Sequence, residues 1–347
     1  GYGWADEQAR EPVQPDSLFR IASLTKAFTA TAILTLVQDG RLRLDQKAFA
    51  ILNDLKPARG ANVDRRIYQI TIRQLLQHSG GWDRDATFDP MFMSVKIAAA
   101  VGEPAPARPA AIIRYMMGQP LQFDPGTRYA YSNFGYCILG RIIEKISGEG
   151  YEQYVREHVL RPAGISRMRL GHTLLRARAP GEVHYYGFPE MGLTRSVFPG
   201  GGRVLWPYGG WYIEAMDSHG GWIASTVDLL RFLIALDARR IIRKPLVQEM
   251  TARPAPPLWV GTDTWYGFGL QVRTAGAGFN WWHTGSLDGT STIMVRAYNG
   301  LKWVALYNSR PKDDGKFDGA MDEIMWKAIG QVSRFPAGDQ FGQFQGR

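Results

Sequence analysis

A serine and a lysine three residues apart, Ser23 and Lys26, open a run in which almost every residue from Ala27 to Val37 is apolar or small, and Asp39-Gly40 ends it. Such a run predicts a buried helix. Residues at i and i+3 share a helical face, so the two side chains can meet. Position 30 is alanine, so Lys26 has no carboxylate one turn on to pair with. Desolvation then lowers the amine's pKa and makes it usable as a base toward the serine hydroxyl. The helix N-terminus favours negative charge developing near Ser23. The same residues also fit a plain N-cap and a solvated lysine. A second Ser-x-x-Lys, Ser309 to Lys312, runs into Asp313-Asp314-Gly315 and reads as a turn.

Two further clusters carry chemistry. Tyr131-Ser132-Asn133 stands just before an expected helix. A phenol beside a lysine ammonium loses its proton more easily, so Tyr131 can take the Ser23 proton and return it to a leaving group. Asn133 offers an amide donor and acceptor to a substrate peptide bond. The structural alternative is a buried aromatic followed by an N-cap asparagine. His283-Thr284-Gly285 ends an expected strand. Gly285 lets a substrate backbone approach closely, the Ser286 N–H can point into a cleft, and His283 and Thr284 can bind a carboxylate or oxyanion. The alternative is a strand-end turn with two solvated side chains. His78-Ser79-Gly80 reads as a helix stop. His158, His172, His184 and His219 show no metal-ligand spacing and read as structural. There is no Gly-x-Ser-x-Gly, phosphate loop or dinucleotide fingerprint. No cofactor or metal is expected.

The elements that must position these residues follow in order. Residues 1–20 read as a strand remnant and an approach loop. Short helices are expected at 71–78 and 110–117, longer ones at 133–146 and 151–160, with 83–107 irregular. Residues 164–222 are rich in glycine, proline and aromatics, and suit either a packed excursion or a cleft wall. Ser225 to Asp228 form a capping box before a helix at 229–236. Strands are expected at 266–274, 279–284, 291–298 and 302–308, the last two joined by the hairpin signal Asn299-Gly300, with a closing helix at 317–332. Late antiparallel strands around an early helical middle predict an α/β chain of the α+β type: a sheet-and-helix lobe from 1–70 and 215–347, and a mostly helical inserted lobe at 71–214 with an irregular aromatic part at 164–214.

Composition bounds the partners. The 347 residues carry a net charge of +9, and 45% are hydrophobic. The densest basic cluster, Arg239 to Lys244, is interrupted by two isoleucines, and no basic tract with interleaved aromatics points to nucleic acid. No apolar run reaches the ~20 residues of a membrane span. Cys137 is the single cysteine, so no internal disulfide forms. A small-molecule or peptide substrate is the expected partner. The chain opens at Gly1 as if inside a strand, so a segment upstream of it is expected.

Taken together, Ser-x-x-Lys, Tyr-Ser-Asn and His-Thr-Gly in that order resemble the class C β-lactamase family, which includes penicillin-binding DD-peptidases and small-ester hydrolases. Phe19-Arg20-Ile21-Ala22-Ser23, Leu75-Leu76-Gln77-His78-Ser79-Gly80-Gly81 and Tyr266-Gly267-Phe268-Gly269-Leu270 support the likeness, which runs from Gly1 to about residue 330. The resemblance implies an antiparallel sheet flanked by helices, with a helical subdomain and the site between. It implies Ser23 as acylated nucleophile, Lys26 and Tyr131 as the proton-transfer pair, and Asn133 holding the substrate amide. His283, Thr284 and Gly285 would line the opposite wall, and the N–H groups of Ser23 and Ser286 would form the oxyanion hole. Many β-lactamases of the family carry lysine at the position of His283 and alanine at that of Ser132. The pair found here is more similar to DD-carboxypeptidases and some esterases. The implied activity is hydrolysis of an amide or β-lactam bond of D-amino-acid-type substrates, in a periplasmic or extracellular setting. A carboxylesterase is the alternative enzyme, and a non-hydrolytic penicillin-recognising protein the alternative of another class.

Overall fold

The computed structural model describes residues 1–312 and 316–344. The turn expected at 313–315 lies outside the described residues. The first strands are short: β1 (Trp4–Asp6) and β2 (Glu11–Pro12) form a hairpin, and β3 (Phe19–Arg20) pairs with β7 (Trp222–Ala224), whose other neighbour is β4 (Arg169–Leu170). The hairpin of β5 (Leu193–Arg195) and β6 (Arg203–Leu205) stands in the aromatic-rich segment.

The helices follow the hydrophobic pattern. α1 (Thr25–Gln38) is buried from Thr25 to Leu36, as a helix with no polar face must be. α2 (Ala48–Ile51), α3 (Ile72–Leu76), α4 (Ser94–Val101), α5 (Pro109–Met116), α6 (Asn133–Ser147) and α7 (Tyr151–Val155) make the helical middle. Thr71 and Gln74 close a capping box on α3, and Ser225 and Asp228 close another on α8 (Thr226–Asp237). α4 falls in the stretch expected to be irregular. α9 (Lys244–Thr251), absent from the sequence reading, starts at the basic cluster with Pro245 in its first turn.

The main sheet has five antiparallel strands in the order β12-β11-β10-β9-β8: β8 (Thr264–Tyr266), β9 (Gln271–Ala275), β10 (Gly278–Leu287), β11 (Thr290–Arg296) and β12 (Lys302–Tyr307). Its alternation sorts two faces. Ile293 and Val295 pack with Trp303 and Met321 of α10 (Phe317–Gly330), while Met294 between them joins the large core with α1 and α8. Phe28 and Phe232 meet in that core with ring centroids 4.1 Å apart. The antiparallel sheet flanked by helices agrees with the expectation. The expected strand at 266–274 is two strands, because the turn at 267–270 carries Gly269 in a left-handed conformation (φ 69°). That turn presses on α1: a Cβ on Gly269 would lie within 2.8 Å of the Lys26 carbonyl carbon.

Candidate active site

Ser23 is not the first residue of α1. It sits in a 3-10 turn, Ala22–Leu24, that leads into the helix, and no side chain caps that turn. In a 3-10 turn residues i and i+3 nearly eclipse, and Lys26 Nζ lies 3.0 Å from Ser23 Oγ. Ala22, just before the serine, has φ 47°, a left-handed conformation strained for a residue with a Cβ. Lys26 is fully buried, and its ammonium form loses hydration there. Desolvation is the main cause holding its pKa well below the ordinary lysine range; Arg84 adds to the shift and Asp89 opposes it. The amine also donates to the His219 carbonyl at 2.9 Å.

Tyr131 stands over this pair. Lys26 Nζ is 4.8 Å and the Arg84 guanidinium carbon 4.7 Å from its ring centroid. The expectation that a lysine ammonium eases loss of the phenol proton is corrected. Burial pushes the Tyr131 pKa up, and its hydrogen bond with Ser23 opposes this only in part. Tyr131 is a neutral hydroxyl beside the serine.

Ser132, not Asn133, caps α6: its hydroxyl accepts from the Gly135 N–H at 3.2 Å. Asn133 is the first helical residue, and its NH2 donates to Asp89 Oδ2 at 2.6 Å.

β10 supplies the opposite wall. His283 is 2% exposed and its ring is engaged inside the protein. Nδ1 faces the Thr284 carbonyl at 2.5 Å and Nε2 the Tyr266 hydroxyl at 2.9 Å. A carbonyl only accepts, so Nδ1 carries the proton and Nε2 accepts from Tyr266. Burial drives the imidazole pKa down to about 3, so the ring is neutral at physiological pH. Gly285 is packed closely against the serine turn. A Cβ there would meet the Ile21 carbonyl oxygen and Thr292 Oγ1, and would lie 3.1 Å from Ser23 N. This is a close approach between β10 and the serine turn. The next residue, Ser286, lines one cleft of about 320 Å³ with Ser23, Tyr131, Asn133, His283 and Thr284. All eight expected site residues therefore lie in or against this cleft.

Three participants were missed or read as bystanders. His78, read as a helix stop, is buried with φ 54°. Its carbonyl accepts from the Ala130 N–H at 2.8 Å, and its Nδ1 accepts from the Ser132 N–H at 3.1 Å. These bonds bracket Tyr131, whose ring centroid is 4.3 Å from the imidazole. His219 supplies the carbonyl that holds Lys26 and lines the cleft. Arg84 lines it too, ion-paired to Asp89 and Asp85 at 3.5 and 3.6 Å. No local pattern marks Arg84. Asp89-Pro90 is a helix-start signal that would have flagged the short turn in which Asp89 sits.

The aromatic segment reaches the site at its C-terminal end. Trp211, Ile213 and Met216 pack on Ala22 and Leu287. Arg20, two residues before Ala22, is buried against Tyr185, Tyr208 and Trp211 and donates to the Pro207 and His172 carbonyls.

A serine at a helix entry with a buried lysine against it, faced by one edge of an antiparallel sheet, defines a class of protein that the comparisons identify. The chain belongs to the Beta-lactamase family, whose family model matches residues 1–323. Penicillin-binding protein 4* of Bacillus subtilis (strain 168) is 28% identical over 331 residues, 92% of this chain and 66% of that protein. The probable fimbrial assembly protein FimD, serogroup H1, of Dichelobacter nodosus is 29% identical over 287 residues, 79% of this chain and 61% of that protein. The chain thus spans 61 to 66% of the length of these curated relatives. Among solved structures, D-amino acid amidase from Ochrobactrum anthropi SV3 complexed with D-phenylalanine superposes with a TM-score of 0.72 at 25% identity, covering 95% of this chain and 90% of that one. The penicillin binding protein from Bacillus halodurans, at 21% identity and a TM-score of 0.67 over 93% and 90% of the two chains, shares the fold.

Proposed function

We propose that this chain is a serine hydrolase that forms an acyl-enzyme on Ser23 and cleaves amide or ester carbonyls of small D-amino-acid-type substrates. One observation carries the reading: a buried lysine, whose ammonium form is disfavoured by desolvation, lies 3.0 Å from the Ser23 hydroxyl. With one N–H committed to the His219 carbonyl, the amine has a lone pair for the serine proton. In the proposed reaction Ser23 Oγ attacks the carbonyl while its proton passes to Lys26. The backbone N–H groups of Ser23 and Ser286 receive the oxyanion. Tyr131 relays the proton to the leaving nitrogen or oxygen, and the C–N or C–O bond breaks. Water then attacks the ester on Ser23, giving up a proton to the same pair. The acid leaves and the serine is restored.

His283 chooses within this class. A neutral imidazole bonded to Tyr266 and Thr284 gives a substrate carboxylate no cation. That favours an amidase or carboxylesterase over a DD-carboxypeptidase, and likeness to a D-amino acid amidase accords with the amide reading.

Intact mass after incubation with a D-amino-acid ester, the matching amide and a penicillin tests the proposal. Wild-type protein should gain one acyl group, and Ser23→Ala none. Should Ser23→Ala turn over the ester as fast as wild type, Ser23 is not the nucleophile. A substrate with a free terminal carboxylate should be no better than its methyl ester; a preference above about tenfold (about 1.4 kcal/mol) would restore the carboxypeptidase reading.

A further inference from the structure

We infer that Tyr129 contacts the substrate, its phenol donating a hydrogen bond to an acceptor carried by the leaving group, and that Trp259 is the positioning residue that holds it there. The inference rests on the hydrolase reading above and narrows its substrate class on the leaving-group side.

Tyr129 and Tyr131 both line the cleft, and Ala130 between them is bonded back to the His78 carbonyl. In the proposed reaction Tyr131 hands the proton to the leaving atom, so the next side chain along that wall meets what the atom carries. The Tyr131 hydroxyl is engaged with Ser23, and that of Tyr266 with His283. Tyr129 makes no hydrogen bond to any described residue, and its oxygen is not among the sealed polar atoms of the interior. Burial of the ring pushes the Tyr129 pKa up, so the phenol keeps its proton and can donate. A tyrosine enclosed to this degree usually gives its hydroxyl a partner, and the side left open to one is the cleft.

What holds the ring is a loop that no motif marks. Residues 252–263 join α9 to β8. Within it Trp259 is left-handed, with φ 56°, a conformation that a bulky residue keeps only where its surroundings impose it. Its ring centroid lies 4.5 Å from that of Tyr129, and the Tyr266 ring lies 5.9 Å from Tyr129. Arg253 fastens the loop. Its Nη1 donates to the Trp259 carbonyl at 2.8 Å and its Nη2 to the Thr262 carbonyl at 2.7 Å, while the guanidinium carbon sits 4.3 Å from the Trp265 ring centroid. The strained residue is thus the one whose side chain backs the cleft wall, and the fixed shape of the loop reaches Tyr129 through this ring contact.

Two esters of one D-amino acid test this. D-alanine 2-methoxyethyl ester carries an ether acceptor in its alcohol, and D-alanine n-butyl ester has the same length without one. Both give the same acyl-enzyme, so a difference in kcat/KM arises before the leaving group departs. Each kcat/KM is divided by the ester's alkaline hydrolysis rate to remove intrinsic reactivity. The wild-type ratio should favour the methoxyethyl ester by about three- to tenfold, the worth of one neutral hydrogen bond. Tyr129→Phe keeps the ring stack and should bring the ratio to near one. Trp259→Ala should lower the ratio as well, and Trp259→Phe should retain most of it, whereas a general loosening would slow both esters alike. A wild-type ratio near one, or an unchanged ratio in a folded Tyr129→Phe, overturns the role of Tyr129. An unchanged ratio in Trp259→Ala overturns that of Trp259. If intact mass still shows acylation of Ser23 in those cases, the hydrolase reading stands without the inference. Failure of both esters to acylate Ser23 would overturn the two together.

Discussion

In the proposed reaction Lys26 is a base only without its proton, so its surroundings set the pH at which that reaction switches on. Burial is the larger cause of its lowered pKa and Arg84 the second. Catalytic rate should rise with pH through the pKa of the folded lysine, well below the ordinary range, and then level off. Removing a nearby positive charge lets the ammonium form persist to higher pH. Arg84→Gln should move the acid limb of the kcat/KM profile toward higher pH; a limb that stays put would show that Arg84 does not tune the amine. Lys26→Arg keeps a cation but not a titratable amine, and should cost roughly 10²–10⁴-fold in kcat. That Ser23 and Lys26 can meet was legible in the sequence, because residues three apart share a helical face. The charge state of Tyr131 was not. It depends on how deeply the ring is buried and on whether Lys26 is charged, and neither is a local property.

At the scale of elements, two segments distant in sequence hold the site residues in place. His78 grips the chain on both sides of Tyr131, through Ala130 and Ser132. His78→Ala removes the ring acceptor and leaves a left-handed residue without the tolerance of asparagine or glycine. It should lower kcat at least about tenfold with little change in KM, since in the proposed reaction the displaced Tyr131 acts on proton transfer rather than binding. His78→Asn tolerates the backbone and offers a side-chain acceptor, so it should recover part of the loss. If alanine and asparagine variants were equally impaired, the Ser132 bond would not be what matters. The sequence showed His78 only as punctuation after a helix, because its positive φ and its two partners 52 and 54 residues away arise from tertiary contact. Helix α6, the Ser225–Asp228 capping box and the Asn299-Gly300 hairpin were readable for the opposite reason: their determinants lie within a few residues. The segment 164–222 resisted reading because its contacts are made across the fold, among them the stacking and carbonyl contacts of Arg20.

For the whole molecule, three buried histidines make acid a threat to stability. Desolvation lowers the pKa of His78, His219 and His283, the last to about 3. An unfolded histidine titrates near 6.5. Above about pH 6.5 the rings are neutral in both states and contribute no pH dependence. Between about 6.5 and about 3 the unfolded chain binds protons that the folded protein refuses, so stability falls as pH falls. Asp64, held at about 2 by its bonds to Arg66, acts in the same direction but only below the ordinary carboxylate range. The urea midpoint should therefore drop between about pH 7 and about pH 5, above the carboxylate window. A flat midpoint over that interval would mean that the histidines are solvated. The glycines at 269 and 285 have a consequence for how such a protein changes over time. They let neighbouring backbone approach the Ser23–Lys26 turn closely on two sides, where any larger residue would collide with it. The cleft walls, by contrast, carry replaceable side chains such as Arg84 and His283. Drift can alter the cleft walls while the Ser23–Lys26 turn stays where it is, which makes a lineage built on this frame easy to repurpose.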